Sequence, residues 1–461
     1  MTYPGLQSSV EPQSDGTEVV EHTLEVPLDH TQPDDPRRLS VFAREFRRTG
    51  SADHPVLLYL QGGPGMRALR PPLPAWVGVA LDRYRVVMLD QRGTGRSTPV
   101  TAASMGPLLV DPRVTADYVS RFRADAIVRD AECLRAALDV QQWTTLGHSY
   151  GGFVTLTYLS EAPAALTECF IAGGLTSPTA RYEEVYALTL AATKTLNSAY
   201  ANANPADAQT LLDLFTRVRL DPPELCGGRL LTARLLRQIG GCLGTRMGRE
   251  KLHYLLADAL VPEPSGAIGL SPSTLGGIES LVSFRLQPLY AVLHESIYPG
   301  TGPTAWAGER VLSDREAAAP AVDIDIASDI GRAPLLLGEI TQRWQFDPSE
   351  VDADPALTPF ADAADLLAAM DDWRPLYDLE RLAANTVPVF ATAYVDDMFV
   401  PIDLSRRASS EIGGVRLAER SDKLHDGLGD GTEVITDLVR RSDEDTGTSA
   451  ETPEDDRAGQ R

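Results

Sequence analysis

Gly147-His148-Ser149-Tyr150-Gly151-Gly152 fits the pattern G-x-S-x-G, with the serine between a short apolar run (143–147) and a helix-forming stretch reaching residue 159. A strand that turns sharply into a helix holds such a serine in a strained conformation, and only flanking glycines let neighbouring chain approach. The hydroxyl is then exposed beside a helix N-terminus, which favours negative charge as it develops. These are the requirements of a nucleophile for acyl transfer.

Such a serine needs a base and an orienting acid, which in this setting follow in the order Ser, Asp/Glu, His. The chain has seven histidines: His22, His30, His54, His148, His253, His294 and His425. Only His425 lies beyond the last expected strand, so it is the base by position and by elimination. His148 adjoins the serine but is expected to point away, as a packed or hydrogen-bonded neighbour. For the acid, Tyr394-Val395-Asp396-Asp397-Met398-Phe399-Val400-Pro401 offers two adjacent carboxylates. Successive side chains point in opposite directions, so only one can face the histidine. Asp397, four residues before Pro401, has the spacing usual for this loop; Asp396 is the alternative, with a turn-capping role otherwise. Two backbone N–H groups must bind the oxyanion. One belongs to Tyr150 and the other to Gly63, in the Gly62-Gly63-Pro64-Gly65 turn after the apolar run 56–60. This chemistry needs no metal and no organic cofactor.

The elements that must position these residues are legible in outline. Residues 22–26 and 39–46 read as strands around a polar Pro/Asp turn. The runs 56–60, 85–89, 143–147 and 166–172 read as buried parallel strands, several ending in glycines. Apolar residues at helical spacing fill 122–138, so strands and helices alternate, which means an α/β fold with a mostly parallel sheet and crossover helices. After about residue 175 the texture changes. The segments 182–200, 205–220, 228–240 and 249–260 look helical, and no clear strand returns before 387–393; the last strand is expected at 415–419 and a closing helix at 432–440. The expected organisation is a core over 1–174, a mostly helical insertion over 175–370 and a second core segment over 371–441. The tail, 442–461, is acidic with no apolar residue beyond Ala, and is expected to be disordered.

Composition narrows the partners. The chain has 461 residues, 43% hydrophobic, and a formal charge of −23. That field repels phosphate backbones and anionic lipid, so neither nucleic acid nor a membrane surface is an expected partner. No stretch approaches the roughly 20 apolar residues that span a bilayer. The polar start has neither the basic nor the apolar region of a secretory signal. Cys133, Cys169, Cys226 and Cys242 have no zinc-like or CxxC spacing and suit a reducing cytosol, so a cytoplasmic location is expected.

Three motifs together carry a resemblance: Gln61-Gly62-Gly63-Pro64-Gly65, Asp90-Gln91-Arg92-Gly93-Thr94-Gly95-Arg96-Ser97 and Gly147-His148-Ser149-Tyr150-Gly151-Gly152. The chain resembles the proline iminopeptidases (prolyl aminopeptidases), serine peptidases of the α/β-hydrolase fold, in their longer bacterial form. Gln61 stands where shorter members carry His, a departure that leaves the glycine donors in place. The resemblance implies release of N-terminal proline from small peptides and a helical cap over the site. It also implies cap carboxylates that hold the free α-amine. Glu295, in Leu293-His294-Glu295-Ser296, matches the family's Trp-Glu cap motif, with His294 in place of Trp. Glu339 precedes an aromatic cluster as the second amine-binding glutamate does. Tyr290, Tyr298, Trp306, Trp344, Phe346 and Trp373 are candidates for the wall of a proline pocket. An esterase, lactonase or broader aminopeptidase with the same triad is the alternative, because the cap sets specificity. A dehalogenase or epoxide hydrolase would need an acid at position 149 and is excluded.

Overall fold

The computed structural model describes residues 5–13, 16–32, 34–318 and 335–447. Its centre is a nine-stranded sheet in the order β1-β2-β3-β5-β4-β6-β7-β10-β11. The strands are β1 (Gln7–Pro12), β2 (Thr17–Pro27), β3 (Arg38–Arg48), β4 (Val56–Leu60), β5 (Arg85–Asp90), β6 (Trp143–His148), β7 (Leu166–Ala172), β10 (Val389–Tyr394) and β11 (Val415–Arg420). The first three pair antiparallel and β3 meets β5 antiparallel; from β5 to β11 every pairing is parallel. The edge strand β1 was not expected: its residues are all exposed, so no apolar alternation marks it.

All five residues of β4 and all six of β10 are buried. Helices cover both faces, so the strands are apolar throughout rather than alternating. Their side chains nonetheless alternate between two cores. Leu57, Tyr59, Val86 and Met88 pack with Trp76 and with Ile435 and Leu438 of the last helix. Leu58, Leu60, Val87 and Leu89 face the other way, toward Ile127, Leu134 and Phe153. The second face carries the helices Ala124–Ala137 and Tyr150–Glu161.

Between β7 and β10 no described residue joins the main sheet. This stretch holds the helices Tyr182–Ala203, Pro205–Leu220, Arg246–Ala257, Pro272–Val282, Pro288–Leu293, Ala307–Ala318 and Ala361–Ala369, and we read 175–370 as the cap. It departs from expectation in two places. A two-stranded hairpin, β8 (Leu260–Pro262) with β9 (Ile268–Leu270), interrupts the helices. The glycines of 228–240 also limit the α-helix there to Ala233–Arg237, followed by a 3-10 turn, Gln238–Gly244. The cap rests on the core through Leu289: a side chain on Gly65, at φ +74°, would collide with it.

The tail expectation needs correction at its start. The last helix, Glu433–Thr446, continues past residue 442. Tertiary contacts order it: Ser442 donates to Glu168, and Arg83 grips Asp443 through two nitrogens at 2.6 and 2.8 Å. The remainder of that expected segment, 448–461, lies outside the described residues.

Candidate active site

β6 ends at His148, and Ser149 takes φ +54°, ψ −126°, as Tyr150 opens the helix. A non-glycine residue at positive φ is strained and persists only where its surroundings hold it. Those surroundings are close backbone: a Cβ on Gly151 would collide with the Leu60 carbonyl. The Ser149 N–H donates to Ala172 O at 3.1 Å, tying the turn to the end of β7.

His425 and Asp397 are joined. The imidazole Nδ1–H donates to Asp397 Oδ2 at 2.7 Å, with both residues buried. The other carboxylate oxygen accepts from Phe399 N at 2.8 Å and Val400 N at 3.1 Å, which fixes its orientation. Asp396 is exposed, and the imidazole bonds to Asp397, so the pairing selects Asp397. Burial opposes charge on His425, but the Asp397 carboxylate outweighs it and holds the imidazole above its ordinary value. His148 Nε2–H donates to the His425 carbonyl at 3.1 Å, and its ring lies 5.3 Å from that of His425. Burial, then the neighbouring His425 charge, pushes His148 down to about 4, so it is a neutral prop, as its expected role requires. Among the described residues Ser149 Oγ has no hydrogen bond, and Nε2 of His425, the ring atom not taken by Asp397, is the one left for a contact with it. Unliganded sites often leave that contact long until substrate arrives. Three other histidines pair with acids elsewhere: His22 with Glu45, His30 with Asp130 and His253 with Asp207.

The Gly62–Gly63 turn lies against the serine: a methyl built on Gly62 would sit 3.6 Å from Ser149 Oγ. Tyr150 N, in the first helical turn, has no carbonyl of its own helix to serve. The residue before Gly63 thus packs on Ser149, and Tyr150 follows it directly in the chain. The Asp90–Ser97 motif supports this turn without entering it. Gln91 Nε2 donates to the Gln61 carbonyl at 3.0 Å. Asp90 accepts from Ala68 N and Arg96 N at 2.9 and 2.8 Å. Arg92, fully buried, donates to Asp130 through Nε at 2.7 Å and to the carbonyls of Leu28 and Arg121.

The two cap glutamates differ. Glu339 is partly buried, accepts a short hydrogen bond from the Tyr290 hydroxyl, and interacts electrostatically with both His425 and Asp397. Burial pushes its carboxyl up to about 7, although the Tyr290 bond works against this. Glu295, 8% exposed, accepts from Gly308 N at 2.8 Å, at the start of the helix Ala307–Ala318. Burial raises its carboxyl, against the pull of Gly308, Thr304 and Ala307. One of its oxygens thus has a capping role that sequence did not suggest. Both acids act electrostatically on Tyr186 and Tyr298. Of the six candidate pocket aromatics, Tyr290 and Tyr298 are in this neighbourhood, packed on His294. The others are engaged elsewhere: Trp306 against Phe346, Trp344 under Arg234 and Trp373 under Arg123. Tyr186 was missed, because a tyrosine in a long amphipathic helix carries no signal of its own.

A strained serine at a strand–helix turn, with a buried His–Asp pair beside it on a parallel sheet, defines a serine hydrolase of the α/β-hydrolase fold. The α/β-hydrolase family model matches residues 55–230. A proline iminopeptidase of Aeromonas sobria is 38% identical over 431 residues, covering 92% of this chain and 97% of its own. A proline iminopeptidase of Aspergillus aculeatus is 30% identical over 423 residues, covering 88% and 90%. The chain belongs to the proline iminopeptidase family.

Proposed function

We propose that the protein is an aminopeptidase that releases proline from the free N-terminus of small peptides. The observation that carries this reading is Glu339: a partly buried cap carboxylate, held by Tyr290 and interacting electrostatically with the His425–Asp397 pair. An acid held away from bulk water near a hydrolytic centre is costly to ionise unless it meets a cation, and a substrate's α-ammonium is that cation. Glu295 is the second amine ligand, through the oxygen not engaged by Gly308. Blocked N-termini, which lack the charge, are rejected.

In the proposed reaction Ser149 Oγ attacks the carbonyl of the first residue while His425 takes its proton at Nε2. Asp397 stabilises the imidazolium, and the N–H groups of Gly63 and Tyr150 bind the oxyanion. His425 returns the proton to the departing amine, and water then releases proline from the acyl-enzyme. Among the described residues no helix is long and apolar enough to cross a membrane. A cytosolic location is part of this proposal, supported by four cysteines that are all free.

The test is a panel of aminoacyl aryl-amides, free and N-acetylated, run beside a simple ester. The expected result is turnover confined to free prolyl substrates and lost in Ser149→Ala, by up to roughly 10⁶-fold. Equal hydrolysis of acetylated substrate, or a preference for the ester, would favour an esterase or lactonase instead.

A further inference from the structure

The loop that carries His425 is gripped by the cap. Asp426, the next residue, aims both carboxylate oxygens at the N-terminus of the cap helix Arg246–Ala257. Oδ1 accepts from Arg246 N at 2.9 Å and Oδ2 from Met247 N at 3.2 Å. Thr245 Oγ1 accepts the third amide, Gly248 N, at 2.9 Å. A helix begins with amides that have no intrahelical partner. Here two of the first three are satisfied by a residue about 180 positions later in the chain, and the carboxylate charge suits the helix dipole. Further contacts close the joint. His425 N donates to Gly244 O at 3.1 Å, and Arg246 pairs with Asp430 at 2.6 Å. A side chain on Gly244 would strike the ring of Phe399, which packs 4.8 Å from the His425 ring. The loop itself is stiff: Gly429 N and Asp430 N both donate to the Asp426 carbonyl, at 2.8 and 3.1 Å. Any displacement of Asp426 therefore carries His425 with it.

We infer that Asp426 is a positioning residue: by capping the cap helix Arg246–Ala257 it sets the place of the catalytic base, so that seating of the cap and alignment of His425 are one event. This rests on His425 being the base for Ser149. It assigns the joint to kcat rather than to substrate affinity, because Glu339 and Glu295 are held by other contacts, Tyr290 and Gly308.

The experiment compares Asp426→Ala, Asp426→Asn and Arg246→Pro in the full chain, with kcat and KM on a prolyl aryl-amide and hydrogen exchange at Met247 N–H. Proline suits the first helical position, after Thr245 in extended conformation, and deletes the Arg246 N–H together with the guanidinium that pairs with Asp430. Asp426→Ala is expected to lower kcat by about ten- to a hundredfold with KM within about twofold, and to speed exchange at Met247. Asp426→Asn keeps an acceptor and should recover most of the loss; Arg246→Pro should fall between. A kcat within about twofold of wild type in Asp426→Ala would overturn the inference, as would a rise in KM alone or an equal loss in Asp426→Asn. Should Asp426→Ala not fold, unchanged kcat in the other two variants overturns it. Turnover surviving in Ser149→Ala would instead refute the reading of the nucleophile, while exchange at Met247 still reports whether Asp426 holds the cap.

Discussion

Replacing Glu339 by glutamine separates recognition from stability, because its carboxylate serves one at the expense of the other. An ammonium about 4 Å from the carboxylate gains about 4 kcal/mol at an effective dielectric of about 20. Glu339→Gln should therefore lose roughly a thousandfold in kcat/KM on a free prolyl aryl-amide. Stability should move the opposite way. Burial raises the Glu339 carboxyl from an ordinary 4.5 to about 7. The folded state thus prefers the neutral form, and that contribution to stability is complete below the unfolded value and lost as pH rises through about 7. Above that point the wild type bears an ionised, partly buried carboxylate at a cost of about 3 kcal/mol, and glutamine does not. Tyr290 can still donate to the amide oxygen. Urea unfolding near about pH 5 and about pH 8.5 should show the variant's advantage growing toward the alkaline condition. Activity within about tenfold of wild type on the free substrate, or no alkaline gain in stability, would refute the reasoning.

Asp397→Asn is expected to lower kcat by about 10⁴-fold, whereas Asp396→Asn, exposed and unpaired with His425, should leave it unchanged; steady-state assays decide. Because Asp397 holds the imidazole above 6.5 and the base must be neutral, wild-type kcat should fall as pH drops through that raised value, and Asp397→Asn should move this acid limb downward. Arg92→Met leaves Asp130 buried without its main cation and should cost about 3–5 kcal/mol in urea unfolding. The double variant Arg92→Met/Asp130→Leu should recover most of that.

The α/β fold, the positions of most core strands along the chain and the serine turn were readable from local patterns. Five consecutive apolar residues before a glycine turn fit a strand covered on both faces, and β4 is buried throughout. What escaped reading had no such pattern. The exposed strand β1 is held by backbone pairing to β2 and not by apolar spacing. The last helix runs on because contacts to Arg83 and Glu168 order polar residues that composition alone marks as unstructured.

 Glu168, the acceptor of the Ser442 hydroxyl, stands on β7, far from that helix in sequence.

By itself the sequence made a candidate nucleophile, base and oxyanion turn legible, since strand, glycine and helix signals act over a few residues, where steric rules are strict. Only the tertiary structure decided which of Asp396 and Asp397 faces His425. It also showed that Arg92 ties Asp130 to the carbonyls of Leu28 and Arg121, that Glu295 accepts from Gly308 N while Glu339 accepts from Tyr290, and that Asp426, next to His425, caps the helix Arg246–Ala257. Each of these depends on segments tens to hundreds of residues apart coming within about 3 Å, the range in which a hydrogen bond forms. Sequence spacing does not encode that distance; the packing of the cap on the sheet does.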